Sequence, residues 1–283
     1  MQRSFYTTIK GVQYQLFIMT ASSTACIYQG KPRCKAHAPI SLKILKRRYM
    51  PFKQISARFT CEKRIVRALA GKGLPQFIGS GKLCGRPYYA YRYVEGDNLL
   101  LSLTGESNQP SLFGAAIVRQ LLSTLSQLHD TRQAIVHGDL SPENVILSEE
   151  GPVMIDFGSA QRLGRDGLIG DGRWIGKPSY LSPEQAQGKR WDARSDLYQT
   201  GILLYELLGR RRYNTGSNAH EKRVFAAAPL RPDYTHIPAV YHPLLNALLE
   251  PEPSQRIESA TEAAAMLDIA MLFDQPTVNP SSG

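Results

Sequence analysis

Apolar and polar positions over the first ninety-odd residues alternate in short runs. "QYQLFIM" (13–19), "TACIYQ" (24–29) and "PISLKIL" (39–45) are rich in β-branched and aromatic residues and are separated by turn-prone segments, which predicts strands. The period then lengthens. In "ISARFTCEKRIVRALAGKG" (55–73), Phe59, Val66 and Leu69 fall on one face at spacings of seven and three, so a helix is expected, ended by Gly71 and Gly73. Two further strand-like runs, "QFIGSG" (76–81) and "YYAYRYV" (88–94), lead into "EGDN", a natural hinge. Beyond the hinge, Phe113, Ile117, Leu121, Leu125 and Leu128 mark an amphipathic helix. "VILSEEGPVMI" (145–155) reads as a hairpin, and "DLYQTGILLYELLGR" (196–210), apolar nearly all round, as a buried helix. The expected class is α+β: residues 1–94 mainly antiparallel strands with one helix, residues 95–272 mainly helical, and residues 273–283 a disordered tail.

Charge changes this picture in one place. The chain of 283 residues carries a formal charge of +10, and between Lys43 and Lys72 ten Lys and Arg face a single acid, Glu62. That stretch is either a solvated helix face or a docking surface for an acidic regulatory partner. No aromatic ladder or zinc finger accompanies it, so no nucleic-acid partner is expected. Cys26, Cys34, Cys61 and Cys84 form no CxxC pair, which points away from a zinc site and a disulfide framework and toward a reducing compartment. "MQRSFYTTIKGVQYQLF" lacks the apolar core of a signal peptide, and apolar runs such as "GILLYELL" fall far short of the ~20 residues that span a bilayer. A soluble cytoplasmic protein without membrane contact is expected.

Glu62 lies on the apolar face of the first helix, where an unpaired carboxylate is costly. Lys43, alone among apolar neighbours in "ISLKIL", is the obvious cation for it. A second cluster begins at "HGDLSPENVIL" (137–147): Asp139 and Asn144 precede the hairpin, and Asp156 in "DFGS" follows it. A hairpin returns the chain to its start, so Asn144 and Asp156 are expected to offer two oxygens to a hard divalent ion such as Mg²⁺, shared with phosphate and water. Asp139 would stand beside the metal without binding it and accept a proton from a hydroxyl. Phosphoryl transfer needs such positioning and charge neutralisation rather than a nucleophilic side chain.

At this point the sequence resembles the eukaryotic-like (Hanks-type) protein kinase family, over about residues 10–270, and most closely its bacterial Ser/Thr members. Lys43 matches the strand lysine that holds the α- and β-phosphates, and Glu62 its helix partner; "HGDLSPEN" matches the catalytic loop and "DFG" the metal-binding motif. "SPE" (182–184) looks like the end of the activation segment, Asp196 like the aspartate that braces the catalytic loop, and Arg256 like the arginine that pairs with Glu184. His137, too, has a bracing role in the resemblance, packed near Phe157. The resemblance implies a two-lobed fold, ATP with Mg²⁺ or Mn²⁺ as cofactors, and a protein Ser/Thr hydroxyl as substrate. It further implies an adenine pocket of Ile27, Ser41, Ile146 and hinge residues Arg92 to Val94, with Tyr91 as gatekeeper.

Four departures stand out. "TASSTACI" (20–27) replaces the glycine-rich phosphate loop, with Thr20, Ser22 and Ala25 at the glycine positions, and each Cβ restricts backbone approach to phosphate. Gly138 replaces the arginine usual before the catalytic aspartate, and residues 159–178 hold no Thr, no Tyr and only Ser159. Receptor and phospho-acceptor are thus missing together, so activity without activation-loop phosphorylation is expected, with local charge pairs among Arg162, Arg165, Asp166, Asp171 and Arg173 ordering the segment. Ser141 stands where Ser/Thr kinases place a lysine, and Lys177 where they place a threonine. The reciprocal change suggests that Lys177 supplies the cation near the transferring phosphate, with Ser141 as its hydroxyl partner; the alternative is a solvent-facing Lys177 used in substrate docking. Two rival functions remain: a small-molecule phosphotransferase, because "HGDL" without arginine occurs in antibiotic- and choline-kinase-like relatives, and a pseudokinase that signals by association.

Overall fold

The computed structural model describes residues 4–22, 24–69, 71–104, 111–130, 134–163 and 176–274. The chain forms two compact units: Met1–Asp97 with Ile146–Gln161, and Asn98–Val145 with Arg162–Gly283. The α+β expectation holds, with a sheet-based unit and a mainly helical one.

The first unit is built on six strands, β1 (Ser4–Ile9), β2 (Val12–Ala21), β3 (Ala25–Pro32), β4 (Ile40–Leu45), β5 (Phe77–Leu83) and β6 (Arg86–Arg92). They form an antiparallel sheet in the order β1-β2-β3-β4-β6-β5. Residues directly opposed on neighbouring strands share a face. One face therefore collects Thr20, Ile27, Lys43 and Tyr89, which are cross-strand partners in turn, with Ser41 and Tyr91 one pleat along. The alternate residues Tyr14, Leu16, Ile40, Leu42, Ile44 and Ala90 make an apolar cluster with Ile9. β4 is buried at every position, so Lys43, like Ser41, places a polar group in a fully buried strand.

Helix α1 (Lys53–Ala68) buries Phe59, Glu62, Ile65 and Val66. It ends before the glycines expected to stop it: Leu69 is already extended (φ −71°, ψ 136°) and its side chain is buried, so the chain leaves the helix to keep an apolar side chain inside. The hairpin Val145–Ser148/Gly151–Met154 forms as expected, and Met154 N–H donates to Gly73 O at 2.9 Å.

The helical unit comprises α2 (Leu99–Thr104), α3 (Ser111–His129), α4 (Pro183–Ala186), α5 (Arg194–Gly209), α6 (Ala219–Ala227), α7 (His242–Leu248) and α8 (Ala260–Phe273). Helix α5 is buried from Ser195 to Leu208, as its apolar circumference requires. On α3 the expected stripe of Ile117, Leu121, Leu125 and Leu128 is buried, but Phe113 is 40% exposed. Gly114 takes the inner position instead: a Cβ there would stand 2.9 Å from Leu207 Cβ, so α3 approaches α5 too closely for a ring. Asp274, just past α8, accepts hydrogen bonds from Ser111 Oγ (2.5 Å) and Tyr241 OH (2.8 Å). Residues 275–283 of the expected tail lie outside the described residues. Among the described residues no helix is long and apolar enough to cross a membrane.

Candidate active-site residues

In the sheet unit, Lys43 Nζ donates to Glu62 Oε1 at 2.5 Å and to Asp156 Oδ1 at 2.9 Å. Three elements meet there: β4, the inner face of α1 and the turn after the hairpin. Burial alone would pull the Lys43 amine down, but Asp156 and Glu62 outweigh it and hold the amine above its usual range. Burial pushes the Glu62 carboxyl up, and Asp156 pushes the same way, against Lys43 and a hydrogen bond donated by Tyr89 OH at 2.7 Å. Asp156 has left-handed backbone (φ 59°, ψ 77°), a region in which Asp is better tolerated than most residues, and Oδ1 accepts Gly158 N–H at 3.3 Å. Its side chain keeps 40% of its surface exposed while Lys43 keeps 8%, so a fixed buried cation backs a carboxylate that still reaches solvent.

The other expected nucleotide-site residues are placed unevenly. Ser41 and Tyr91 are buried side by side, and burial pushes the Tyr91 hydroxyl up to about 12. Ile27, Val94 and Ile146 are half-buried. Arg92 alternates to the opposite face from Tyr91, is exposed, and lines a depression of about 340 Å³ with Lys10, His37 and Ile78. In the loop that lacks glycine, Thr20 and Ser22 are exposed and Ala25 is buried. Ser22 Oγ accepts Ala25 N–H at 3.0 Å, and Lys46 Nζ donates to Ser22 O, so side chains tie a loop that glycines would leave loose.

In the helical unit, the buried Asp196 carboxylate organises residues 137–140. Oδ2 accepts His137 N–H (2.8 Å) and bonds His129 Nε2 (2.9 Å), while Oδ1 accepts Gly138 N–H (2.8 Å). Gln199 Oε1 accepts Leu140 N–H at 2.7 Å, and the amides of Gln185 and Gln199 donate to Gly138 O at 3.0 and 3.3 Å. Gly138, at φ 72°, is thus bonded through both its N–H and its carbonyl, in a left-handed conformation that a side chain at this position would strain. His137 is fully buried. Neither glutamine was anticipated. The available signal was the spacing of Gln199, three residues after Asp196 on the same face of a buried helix.

Asp139 is half-buried on this brace. Its Oδ1 accepts Lys177 N–H at 3.0 Å, and Asn144 Nδ2 donates to Asp139 O at 2.8 Å and lies 3.4 Å from Oδ2. Lys177 Nζ donates to Ser141 Oγ at 2.6 Å, with Glu143 Oε2 3.7 Å away. Gly176 precedes Lys177 at φ 113°, a conformation that a side chain would strain, and a Cβ there would lie 3.1 Å from Leu181 Cδ2 and 3.3 Å from Gly138 O. Glu184 and Arg256 form a buried two-armed pair, Nη1–Oε1 2.8 Å and Nη2–Oε2 3.0 Å, which holds Glu184 below the ordinary carboxylate range despite its burial. Arg165, Asp166, Asp171 and Arg173 of the expected charge pairs lie outside the described residues.

Asn144 Nδ2 is committed to Asp139, which turns the amide oxygen away from that bond, and Asp156 supplies a partly exposed carboxylate. Hard oxygens of this kind suit Mg²⁺ or Mn²⁺ better than a soft metal.

Residues 23–267 match the model of the protein kinase domain. Serine/threonine-protein kinase PknL of Mycobacterium tuberculosis is 32% identical over 202 residues, 71% of this chain and 50% of the relative. A probable serine/threonine-protein kinase of Clostridium perfringens is 28% identical over 97% of this chain and 40% of its own length. Probable serine/threonine-protein kinase PknB of Lactococcus lactis is 28% identical over 87% and 37%. The chain thus spans half or less of the length of these relatives, and by its matched domain and its relatives it belongs to the Hanks-type serine/threonine protein kinase family.

Proposed function

We propose that the chain transfers the γ-phosphoryl group of ATP to Ser or Thr hydroxyls of a protein. The observation that carries this reading is Lys43 clamped between Glu62 and Asp156, a buried cation fixed for phosphate beside a carboxylate whose side chain keeps 40% of its surface exposed. Lys43 binds the nucleotide phosphates, and Glu62 with Tyr89 fixes its amine. Asn144 and Asp156 hold Mg²⁺ or Mn²⁺, which when bound neutralises phosphate charge. Asp139, aimed by the Lys177 N–H, orients the acceptor hydroxyl and takes its proton. Ile27, Ser41, Ile146 and the Tyr91–Val94 segment form the adenine side, and Thr20, Ser22 and Ala25 cover the phosphates, more stiffly than glycines.

Lys177 fills the role of the missing catalytic-loop lysine. Its ammonium lies on Ser141 Oγ beside Asp139, so the charge arrives from the segment after residue 175 rather than from the loop itself. With Gly138 in the arginine position and no Thr or Tyr in residues 159–178, transfer proceeds without phosphorylation of that segment. Intact-mass and peptide mapping of active protein check this; activity that tracks a phosphate within 159–178 overturns it.

Protein hydroxyls are favoured over metabolites by the Glu184–Arg256 pair and the Asp196 brace, features of a protein-docking large lobe. The test is phosphate transfer from labelled ATP to a generic basic protein, set against a panel of aminoglycoside, choline and sugar acceptors. Incorporation into protein Ser or Thr supports the proposal. Label in a metabolite alone overturns it in favour of a small-molecule phosphotransferase, and binding of Mg-ATP without transfer overturns it in favour of a binding module.

A further inference from the structure

Helix α1 has two faces of opposite use. Glu62, Phe59, Ile65 and Val66 point inward. By helix periodicity Lys53, Arg64 and Arg67 lie on the far side, exposed, among the small residues Ala57, Cys61 and Ala68. Lys63 flanks that face, Arg58 is exposed one turn before Glu62, and Arg47 and Arg48 precede the helix, both exposed. Among the described residues none of these cations pairs with a carboxylate, and the only acid of the helix is Glu62, spent on Lys43. Lys63 and Arg67 are spaced i, i+4 and Arg64 and Arg67 i, i+3, so neighbouring like charges weaken the helix they decorate. The first turn carries Lys53 and no acid, no side chain caps the N-terminus, and Phe52 at the cap position is 58% exposed. A solvated helix is ordinarily laced with acids and bases of both signs; this one has a single sign, local repulsion and an uncovered ring.

We propose that the outer face of α1 is a docking surface for an acidic protein segment, whose binding steadies the helix that presents Glu62 to Lys43. Carboxylates laid along Lys53, Arg64 and Arg67 relieve the repulsion, and the small residues between them let a second backbone come close. The 2.5 Å contact of Lys43 with Glu62 depends on where α1 lies, so an occupant of the outer face raises the rate of phosphate transfer. The effect on transfer rests on the kinase reading above; the docking does not.

The experiment uses the full chain with poly-L-glutamate as probe. Binding is read by fluorescence anisotropy, amide exchange in 53–68 by mass spectrometry, and transfer by labelled ATP. The combined Lys53→Glu, Arg64→Glu and Arg67→Glu variant is expected to bind about tenfold more weakly. A control with Lys31→Glu, Lys35→Glu and Lys82→Glu, exposed lysines away from α1, is expected to bind as the wild type does. Unchanged thermal midpoints in both variants show that each is folded. Slower exchange across 53–68 on binding, and a transfer rate raised about threefold in wild type but not in the α1 variant, support the proposal. Equal weakening in the two variants, tighter binding of duplex DNA or phosphatidylserine vesicles than of polyglutamate, or binding without change in exchange overturns it. If Asp139→Asn binds the probe as wild type does while wild type itself transfers no phosphate, the kinase reading fails and the docking stands.

Discussion

Buried charge is used differently in the two units. In the sheet unit the buried ions are the groups proposed for chemistry: Lys43, Glu62 and Asp156 meet from three elements, and Asp156 remains partly exposed. In the helical unit the buried ions are scaffold. Asp196 spends its carboxylate on two main-chain N–H groups and a histidine, and Glu184 is matched arm for arm by Arg256. Asp139, the group proposed for chemistry there, is held by neutral N–H donors of Asn144 and of Lys177, whose own ammonium goes to Ser141. A charge cluster shifts whenever one of its elements shifts, whereas a carboxylate locked onto main-chain amides moves only with the whole loop. The sheet-unit cluster is therefore the natural place for regulation, and the helical-unit brace the natural place for invariance of geometry.

This contrast breaks most sharply at Arg256. Arg256→Met leaves Glu184 buried and unmatched, and is expected to cost about 3–5 kcal/mol of stability by denaturant unfolding, with nucleotide binding retained by protein that stays folded. On the other side, Lys43→Met is expected to cost about 10²–10³-fold in kcat/KM with a smaller loss of stability, because Glu62, already pushed up by burial, takes a proton when its partner goes. Steady-state kinetics beside thermal unfolding separate the two cases; equal loss of stability in both variants defeats the comparison.

Lys177→Ala is expected to lower kcat by about tenfold with nucleotide affinity unchanged, since the ammonium lies by Ser141 and not among the nucleotide-binding residues. Near-normal turnover on a saturating peptide rejects the swap. The smallest effect concerns pH. The Glu184 carboxyl is held below its ordinary 4.5, so it contributes stability that is complete above that value and is lost as pH falls through its folded value. Glu206 runs the other way: burial raises its carboxyl, so its contribution favours the folded state at low pH and fades as pH rises through the raised value. In Glu184→Gln the acid-side slope of thermal stability is expected to flatten; an unchanged slope below pH 4.5 removes Glu184 from the account.

Much of this was legible from residue order, and the exceptions have physical causes. The pair Lys43–Glu62 follows from one lysine in an apolar strand and one acid on an apolar helix face, because each is costly alone. Strand β1 was not anticipated: Ser4–Ile9 buries only Ile9, so it shows no apolar face and is held by its ladder with β2. Tyr89 was missed as a partner of Glu62, although its pairing opposite Lys43 places both on one face; register, not composition, carries that information. The outward turn of Phe113 depends on the contact of Gly114 with Leu207, a distance in the fold that no local pattern contains.

The central claim is that Asp139 is the group that accepts the acceptor-hydroxyl proton in a chain that binds nucleotide through other residues. Its most direct test is phosphate incorporation into Ser and Thr, read by mass spectrometry for wild type and Asp139→Asn, with Mg-ATP binding measured on the same samples. The account predicts a loss of about 10²–10⁴-fold in transfer with nucleotide affinity nearly unchanged. Transfer by Asp139→Asn at the wild-type rate would contradict it.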